Sequence, residues 1–488
     1  MSILSNCSPE RVFYYFEQIA AIPHGSGNMG AISAFCENFA AAHNLRCCRD
    51  AYNNVIIYKP AAAGREDAPT IILQGHLDMV CEKTPGSDFH FETDGLRLQV
   101  DGDWLSADGT TLGADNGIAI AMILAILESD TLAHPALEAV FTTDEETSLA
   151  GATGLDVSRL QGKYLMNLDS EDEGVLTVSC AGGVRVTGTL PVMRQSGDWM
   201  SLELEICGLR GGHSGMQINE GRGSSNQLMG RLLCHLQRVA PFCIDRLTGG
   251  NKDNVIAAAT RATLAVNENA LPGLLRAAGE LEATLRRELS VTDPGVTIAA
   301  AAGPLAPMHP LTEESTRRLV GALVNCPQGV IVMSPDLPGL VQTSLNIGVV
   351  KLREGEFTAT FALRSSCESQ KTMLIERLDN LFGIMGGKTT AQGDYPGWAY
   401  TRDSRLREHA IRTWKALYGV EPKVEAIHAG LECGLFADKI PGLDAISLGP
   451  TMVEVHSPEE RLSISSTKRT FDFICRALET WGQEGAIQ

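Results

Sequence analysis

Over its first 185 residues the chain alternates short apolar runs with helical stretches, and this alternation restricts the fold more than any other feature. Residues 54–58, 70–73, 139–142 and 163–168 have the length and β-branched, aromatic character of strands, and 116–128 reads as a helix. Strands separated by crossover helices return in the same direction, so the pattern predicts an α/β domain with a mixed, largely parallel sheet flanked by helices. In such sheets ligands bind in the loops leaving the carboxyl ends of the strands. The stretch IILQGHLDMV (71–80) makes the point: an apolar run passes directly into His76 and Asp78, two groups that are costly to bury without partners.

The middle of the chain changes character. Residues 201–207, 255–266 and 296–301 read as strands, with helices at 224–239 and 279–288. The theme then recurs, with helices at 313–324 and 368–382 and a strand pair across 344–364. After the turn-rich GDYPGW (393–398) α/β patterning returns. A chain of 488 residues exceeds one ordinary core. The expected organisation is an N-terminal part of a catalytic domain at 1–185, an inserted α+β lid of two related halves at 186–394, and the C-terminal part of the catalytic domain at 395–488.

Composition removes several classes of function. A formal charge of -19 disfavours nucleic acid, whose phosphates would be repelled. The longest apolar run, 117–127, is far short of a membrane span, and the first twenty residues lack the basic and apolar regions of a signal peptide. Thirteen scattered cysteines, without a CxxC pair, suit reduced thiols in a cytoplasmic protein.

The acids and histidines follow a consistent placement. GHLDMV supplies His76 and Asp78, TTLGADNGIAIA supplies Asp115, FTTDEET supplies Glu145 and Glu146, NLDSEDEG supplies Asp169, and EVHSPEER supplies His456. A single His-x-Asp is ordinarily a satisfied loop pair, and a Glu-Glu pair is ordinarily solvated. Five such elements in succession, most of them directly after predicted strands, point to convergence. Imidazoles and carboxylates without cysteine make a nitrogen/oxygen site suited to zinc, manganese or cobalt. The number of carboxylates suggests two divalent metal ions, with Asp115, flanked by Gly113 and Gly117, as the natural bridge. Of Glu145 and Glu146, one would bind metal and the other move a proton. Asp78 is placed to accept the second N–H of the His76 ring.

The motifs GHLDMV, TTLGADNGI, TDEE, NLDSEDEG, GLRGGHSG, SLNIG, YPGW, HAGLECGLF and LGPTMVEVHSP occur in the order seen in bacterial aminoacyl-histidine dipeptidases. The chain thus resembles, over nearly its whole length, these carnosinase-type members of the aminoacylase/carboxypeptidase superfamily of two-zinc peptidases. The resemblance implies that His76 and Asp169 hold one metal, Glu146 and His456 the other, and Asp115 both, with Glu145 as general base for a hydroxide held between them. It further implies that His213 donates to the tetrahedral oxyanion and that Asn254 and Arg364 bind the substrate's backbone and terminal carboxylate. The implied substrates are unblocked dipeptides such as Xaa-His, and a homodimer through the lid fits the family. Two departures stand out: Thr147-Ser148 after the glutamate pair, where the family commonly has a small residue and Gly, and Val255-Ile256 after Asn254, where a Pro-Arg pair commonly lies nearby. The second removes a cation near the implied substrate pocket. An N-acyl amino acid deacylase, a tripeptidase, or a metal-binding protein without catalysis are the alternative readings of the same residues.

Overall fold

In the computed structural model, which describes residues 3–483, the apolar run at Ile71 forms a strand, Ile71–His76, that is buried along its whole length. It pairs in parallel with Leu137–Thr142 on one side and Tyr164–Asn167 on the other. Two ladders flank it, so the strand continues three residues beyond the predicted end at 73 and includes His76, opposite Thr142. Asp444–Ser447 adds a fourth parallel strand beside Tyr164–Asn167. Antiparallel strands Val55–Lys59 and Arg46–Arg49 complete one side of an eight-stranded mixed sheet. Val175–Cys180 and Lys423–Ile427 lie on the other side.

The helix Ala114–Glu128 packs on this sheet and against the helix Glu10–Ala20, and residues 116–127 are all buried. Its sequence has no polar face because it has no solvent face. At about 1.5–3 kcal/mol for each fully buried Ile, Leu or Met, this segment is a major anchor of the sheet. The regular turns start only after Asp115 (φ -82°, ψ 102°) and Asn116 (φ -118°, ψ 26°), which are not helical. Among the described residues no helix is long and apolar enough to cross a membrane.

The chain divides into two compact units. The first runs to Ser179 and resumes at Tyr400–Ala426 and from Leu431; the second comprises Cys180–Ala399 and Ile427–Gly430. The expected boundaries at 185/186 and 394/395 therefore differ from the observed divisions, and 427–430 lies with the second unit rather than with the C-terminal part of the first. The reason is backbone pairing: Ala181 N–H donates to the carbonyl of Ala429 at 3.0 Å.

The second unit is built on one antiparallel sheet of nine strands. The predicted strand at 255–266 is two pieces, Val255–Ile256 and Thr260–Val266. The sheet's two parts join where Thr248 and Gly249 pair with Lys351 and Val350. Strand Glu356–Ser365 shows the sidedness of the sheet, with Phe357, Ala359, Phe361 and Leu363 buried and the intervening residues partly exposed. Helices Ser225–Leu236, Leu271–Glu288, Glu313–Asn325 and Glu368–Ile384 supply the apolar side chains that cover the buried face, among them Leu233, Leu274, Leu319 and Phe382.

Candidate active site

Three adjacent parallel strands deliver four of the site's side chains. His76 closes its own strand, Glu145 and Glu146 follow Leu137–Thr142, and Asp169 follows Tyr164–Asn167. Asn116 ties these ends together: its side-chain oxygen accepts from His76 N–H at 3.2 Å and its amide donates to the carbonyl of Leu168 at 2.8 Å. This close approach requires Gly75, where a Cβ would lie 2.5 Å from that side-chain oxygen.

His76 is 1% exposed. Its Nδ1 lies 3.0 Å from the main-chain carbonyl of Asp78. A carbonyl can only accept, so Nδ1 carries a proton whatever the charge of the ring, and Nε2 is the nitrogen turned to the acids, free to serve as a ligand when its own proton is displaced. That nitrogen faces Asp115 Oδ1 at 3.2 Å and Asp169 Oδ1 at 3.4 Å. On the other side, His456 Nε2 lies 3.2 Å from Asp115 Oδ2 and 3.1 Å from Glu146 Oε1. The two oxygens of one carboxylate thus face two different imidazoles. His76, Asp115 and Glu146 offer ligand atoms within 4.8 Å of one another.

The donor set fits a cation pair. Four carboxylates, Asp115, Glu145, Glu146 and Asp169, surround two imidazoles, an excess of negative charge even with both rings protonated. Burial opposes a charge on His76, yet Asp169 and Asp115 outweigh it and hold the ring well above its ordinary pKa. His456 is pushed up to about 11 by its contacts with Asp115 and Glu146. Burial raises the Asp169 and Glu146 carboxyls. These are sites that demand positive charge, and nitrogen with carboxylate oxygen is the chemistry of zinc, manganese and cobalt.

The structure also separates the glutamate pair. Glu146, not Glu145, meets His456. Burial, then the neighbouring Asp169, Glu432 and Glu146, raise Glu145 well above the usual carboxylate range, a property suited to proton transfer.

Asp78 meets the His76 ring with two of its oxygens and has further partners. The main-chain oxygen, rather than the carboxylate, takes the closer contact with the His76 ring, and Oδ1 lies 3.5 Å from Nδ1. The carboxylate also accepts from Ser26 Oγ at 2.7 Å and from the backbone N–H groups of Glu145 at 3.0 Å and Glu146 at 3.3 Å. Asp78 therefore fixes the turn that presents both glutamates.

Two buried acids escaped the sequence reading. Glu432 is fully buried; its Oε2 accepts from Gln74 and Thr142, each at 2.6 Å, while Oε1 has no partner among the described residues. Burial pushes Glu432 up to about 7. Glu460 accepts from the backbone that carries Asp115. HAGLECGLF and EVHSPEER contained both residues, but nothing in the strings distinguishes a buried acid from a solvated one.

In the second unit, the short ribbon of Gly212–His213 with Val255–Ile256 brings His213 beside Asn254, whose carbonyl accepts from Ser214 N–H at 2.9 Å. His213 Nδ1 accepts from the Met216 N–H at 3.1 Å, which leaves the neutral ring's proton on Nε2 as a donor. Burial and the Arg364 charge lower the pKa of His213 and favour that neutral form. Gly215 sits among these groups: a Cβ there would be 3.0 Å from His213 Cε1, 3.2 Å from Arg364 Nε and 2.6 Å from the His428 carbonyl. His213, Asn254 and Arg364 are therefore neighbours, and Arg364 Nε is buried without a hydrogen-bond partner among the described residues.

Residues 72–480 match the profile of Peptidase family M20/M25/M40. The chain is 35% identical over 484 residues to the cytosol non-specific dipeptidase of Escherichia coli (strain K12), covering 98% of this chain and 99% of that relative. It is 34% identical to the aminoacylhistidine dipeptidase of Vibrio alginolyticus, whose crystal structure superposes with a TM-score of 0.94 over 98% of each chain. A tripeptidase from Staphylococcus aureus matches with a TM-score of 0.55 at 14% identity, covering 97% of this chain and 98% of that one, and so shares the fold alone.

Proposed function

Because this chain belongs to peptidase family M20/M25/M40, we propose that it hydrolyses unblocked dipeptides, Xaa-His among them, with two divalent cations. The observation that carries the reading is the Asp115 carboxylate, with one oxygen turned to His76 and the other to His456. His76 and Asp169 would hold one cation, His456 and Glu146 the second, and Asp115 would serve both; zinc is the expected ion, with manganese or cobalt able to use the same ligands. When bound, the pair supplies Lewis acidity that polarises the scissile carbonyl and lowers the pKa of the attacking water.

The protein's own groups do the rest. Glu145 takes a proton from the attacking water and returns it to the leaving amine. Asp78 holds the Glu145–Glu146 turn through their backbone N–H groups. His213, with its proton on Nε2, is assigned to the developing oxyanion, where a fixed donor stabilises the transition state. Arg364 is assigned to the terminal carboxylate, which a guanidinium can grip with two parallel hydrogen bonds, and Asn254 to the substrate backbone. Recognition of a free amine and a free carboxylate at one fixed separation would restrict the substrate to two residues.

The two similar dipeptidases bear names that differ in breadth, non-specific in one case and aminoacylhistidine in the other. The deciding experiment is hydrolysis of Ala-His, β-Ala-His, Ala-Ala, Leu-Gly-Gly and N-acetyl-Ala by chelator-stripped protein, with and without added zinc, manganese or cobalt. Metal-restored cleavage confined to the unblocked dipeptides is expected, and the Ala-His to Ala-Ala ratio measures the preference for histidine. Cleavage of Leu-Gly-Gly or N-acetyl-Ala instead would replace this reading with a tripeptidase or deacylase.

We also assign the protein to the cytoplasm and to a homodimer formed through its second unit. Light scattering should then give twice the chain mass of 52.3 kDa. A single-chain mass at micromolar concentration would exclude the dimer.

A further inference from the structure

The assignment of Asp115 to both cations makes a strict geometric demand, since its two oxygens must face two imidazoles at once. We propose that Glu460 is the positioning residue that meets this demand, by clasping the Leu112–Asp115 backbone so that Asp115 serves both cation sites. The inference rests on the two-cation reading.

Four consecutive backbone N–H groups turn toward the one carboxylate. Glu460 Oε2 accepts from Leu112 at 2.7 Å and Gly113 at 3.1 Å; Oε1 accepts from Ala114 at 2.9 Å and Asp115 at 3.4 Å. Successive N–H groups directed to one side form a concave anion-binding nest. The left-handed conformation of Gly113 (φ 65°) helps to shape it. Glu460 is only 2% exposed; burial and the nearby Asp115 carboxylate push its carboxyl up to about 7, and the backbone donors, in place of water, are what favour its charged form.

The same carboxylate lies four positions after His456. The intervening turn is tight: Glu454 and His456 have φ of 54° and 62°, Ser457 Oγ donates to the Glu454 carbonyl at 2.7 Å, and Glu460 N–H donates to that of Ser457 at 3.1 Å. One turn therefore reaches Asp115 from both ends. His456 faces the side-chain oxygen Oδ2 at 3.2 Å, and Glu460 holds the backbone N–H. Metal centres lose function when a ligand is displaced by more than about half an ångström, so a loop carrying a shared ligand needs such a restraint. Without the clasp, the loop keeps its sequence but loses the anion that gathers its amides.

The test compares Glu460→Gln and Glu460→Asp with the unaltered protein. Glutamine keeps the shape but turns an amide NH2 toward two N–H donors, and aspartate keeps the charge but shortens the reach. Hydrogen exchange is measured first on metal-free protein, then zinc binding by titration, then kcat and KM on Ala-His. In Glu460→Gln the amides of 112–115 should exchange about tenfold or more faster while those of Ile71–His76 are unchanged. One zinc equivalent should bind about tenfold or more weakly, and kcat should fall with KM nearly constant. Glu460→Asp should show the same pattern to a smaller extent.

Unchanged exchange at 112–115 would overturn the clasp. So would faster exchange with zinc affinity and kcat intact, or loosening that extends equally to Ile71–His76, which would make Glu460 a general structural residue. Should the unaltered protein hold fewer than two zinc equivalents, the two-cation reading falls, and with it the claim that Asp115 serves two sites. The exchange at 112–115 would then still decide whether Glu460 holds the loop.

Discussion

Replacing Glu145 by alanine is expected to lower turnover on an unblocked dipeptide by about two orders of magnitude or more, with both cations still bound. The expectation follows from the separation of the two adjacent acids. Glu146 meets His456, while Glu145 is carried by the same turn, its backbone held by Asp78, outside that contact. Burial raises its proton affinity, so it can accept a proton from water and give it up again within one cycle. Removing it takes away proton transfer but neither imidazole nor the shared carboxylate. Zinc content and turnover should therefore part company. Turnover within a few fold of the unaltered protein would sink the role of Glu145, and loss of a zinc equivalent would mean that Glu145 is a ligand instead.

Asp115→Asn should behave in the opposite way, with metal content and activity falling together. An amide nitrogen has no lone pair to offer, so only one of the two imidazoles would still share an oxygen with residue 115. One cation site loses a ligand, the other loses charge, and the separation between them is no longer set. A drop in turnover of about three orders of magnitude is expected, since cation-based activation and polarisation each account for several kcal/mol of the barrier. Circular dichroism should be unchanged, because the substitution is nearly isosteric and the neighbouring Asn116 still ties His76 to Leu168. Full retention of two zinc equivalents with turnover within tenfold would remove Asp115 from its shared position.

The contrast between these variants and the Glu460 substitutions separates three kinds of contribution. Glu145 is read out in proton transfer, Asp115 in cation content, and Glu460 in the exchange of a backbone loop before any metal is added. Asp78 and Glu432 belong with Glu460 in being acids whose main partners are not the reacting groups. Asp78 accepts from two backbone amides and a serine, and Glu432 from Gln74 and Thr142. Asn167 joins the same buried network by donating to Gln74 at 2.5 Å. The ends of the three strands that carry the acids are thus connected to one another beneath the site.

Much of this was legible in the residues alone. The parallel sheet followed from apolar runs of strand length alternating with helices, because that periodicity is imposed by burial on both faces. The acids could be placed at strand ends because polar groups interrupt those runs there. The wholly apolar helix was recognisable, since a helix without a polar face must be covered all round.

What the sequence could not decide was which atoms meet. His76 and Asp78 stand two positions apart in the sequence, and it is the main-chain carbonyl of Asp78 that takes the closer contact with the ring. Its carboxylate goes to the N–H groups of Glu145 and Glu146. Glu460 likewise finds its partners in the backbone of Leu112, Gly113, Ala114 and Asp115, and Ala429 pairs through its carbonyl with Ala181 N–H. Every residue except proline carries the same N–H, so a carboxylate that seeks backbone partners leaves no trace in residue identity. Side-chain chemistry and hydrophobic period were written in the order of the amino acids. The choice of backbone partner, and with it the orientation of Asp115 between His76 and His456, arose only when distant turns were folded against one another.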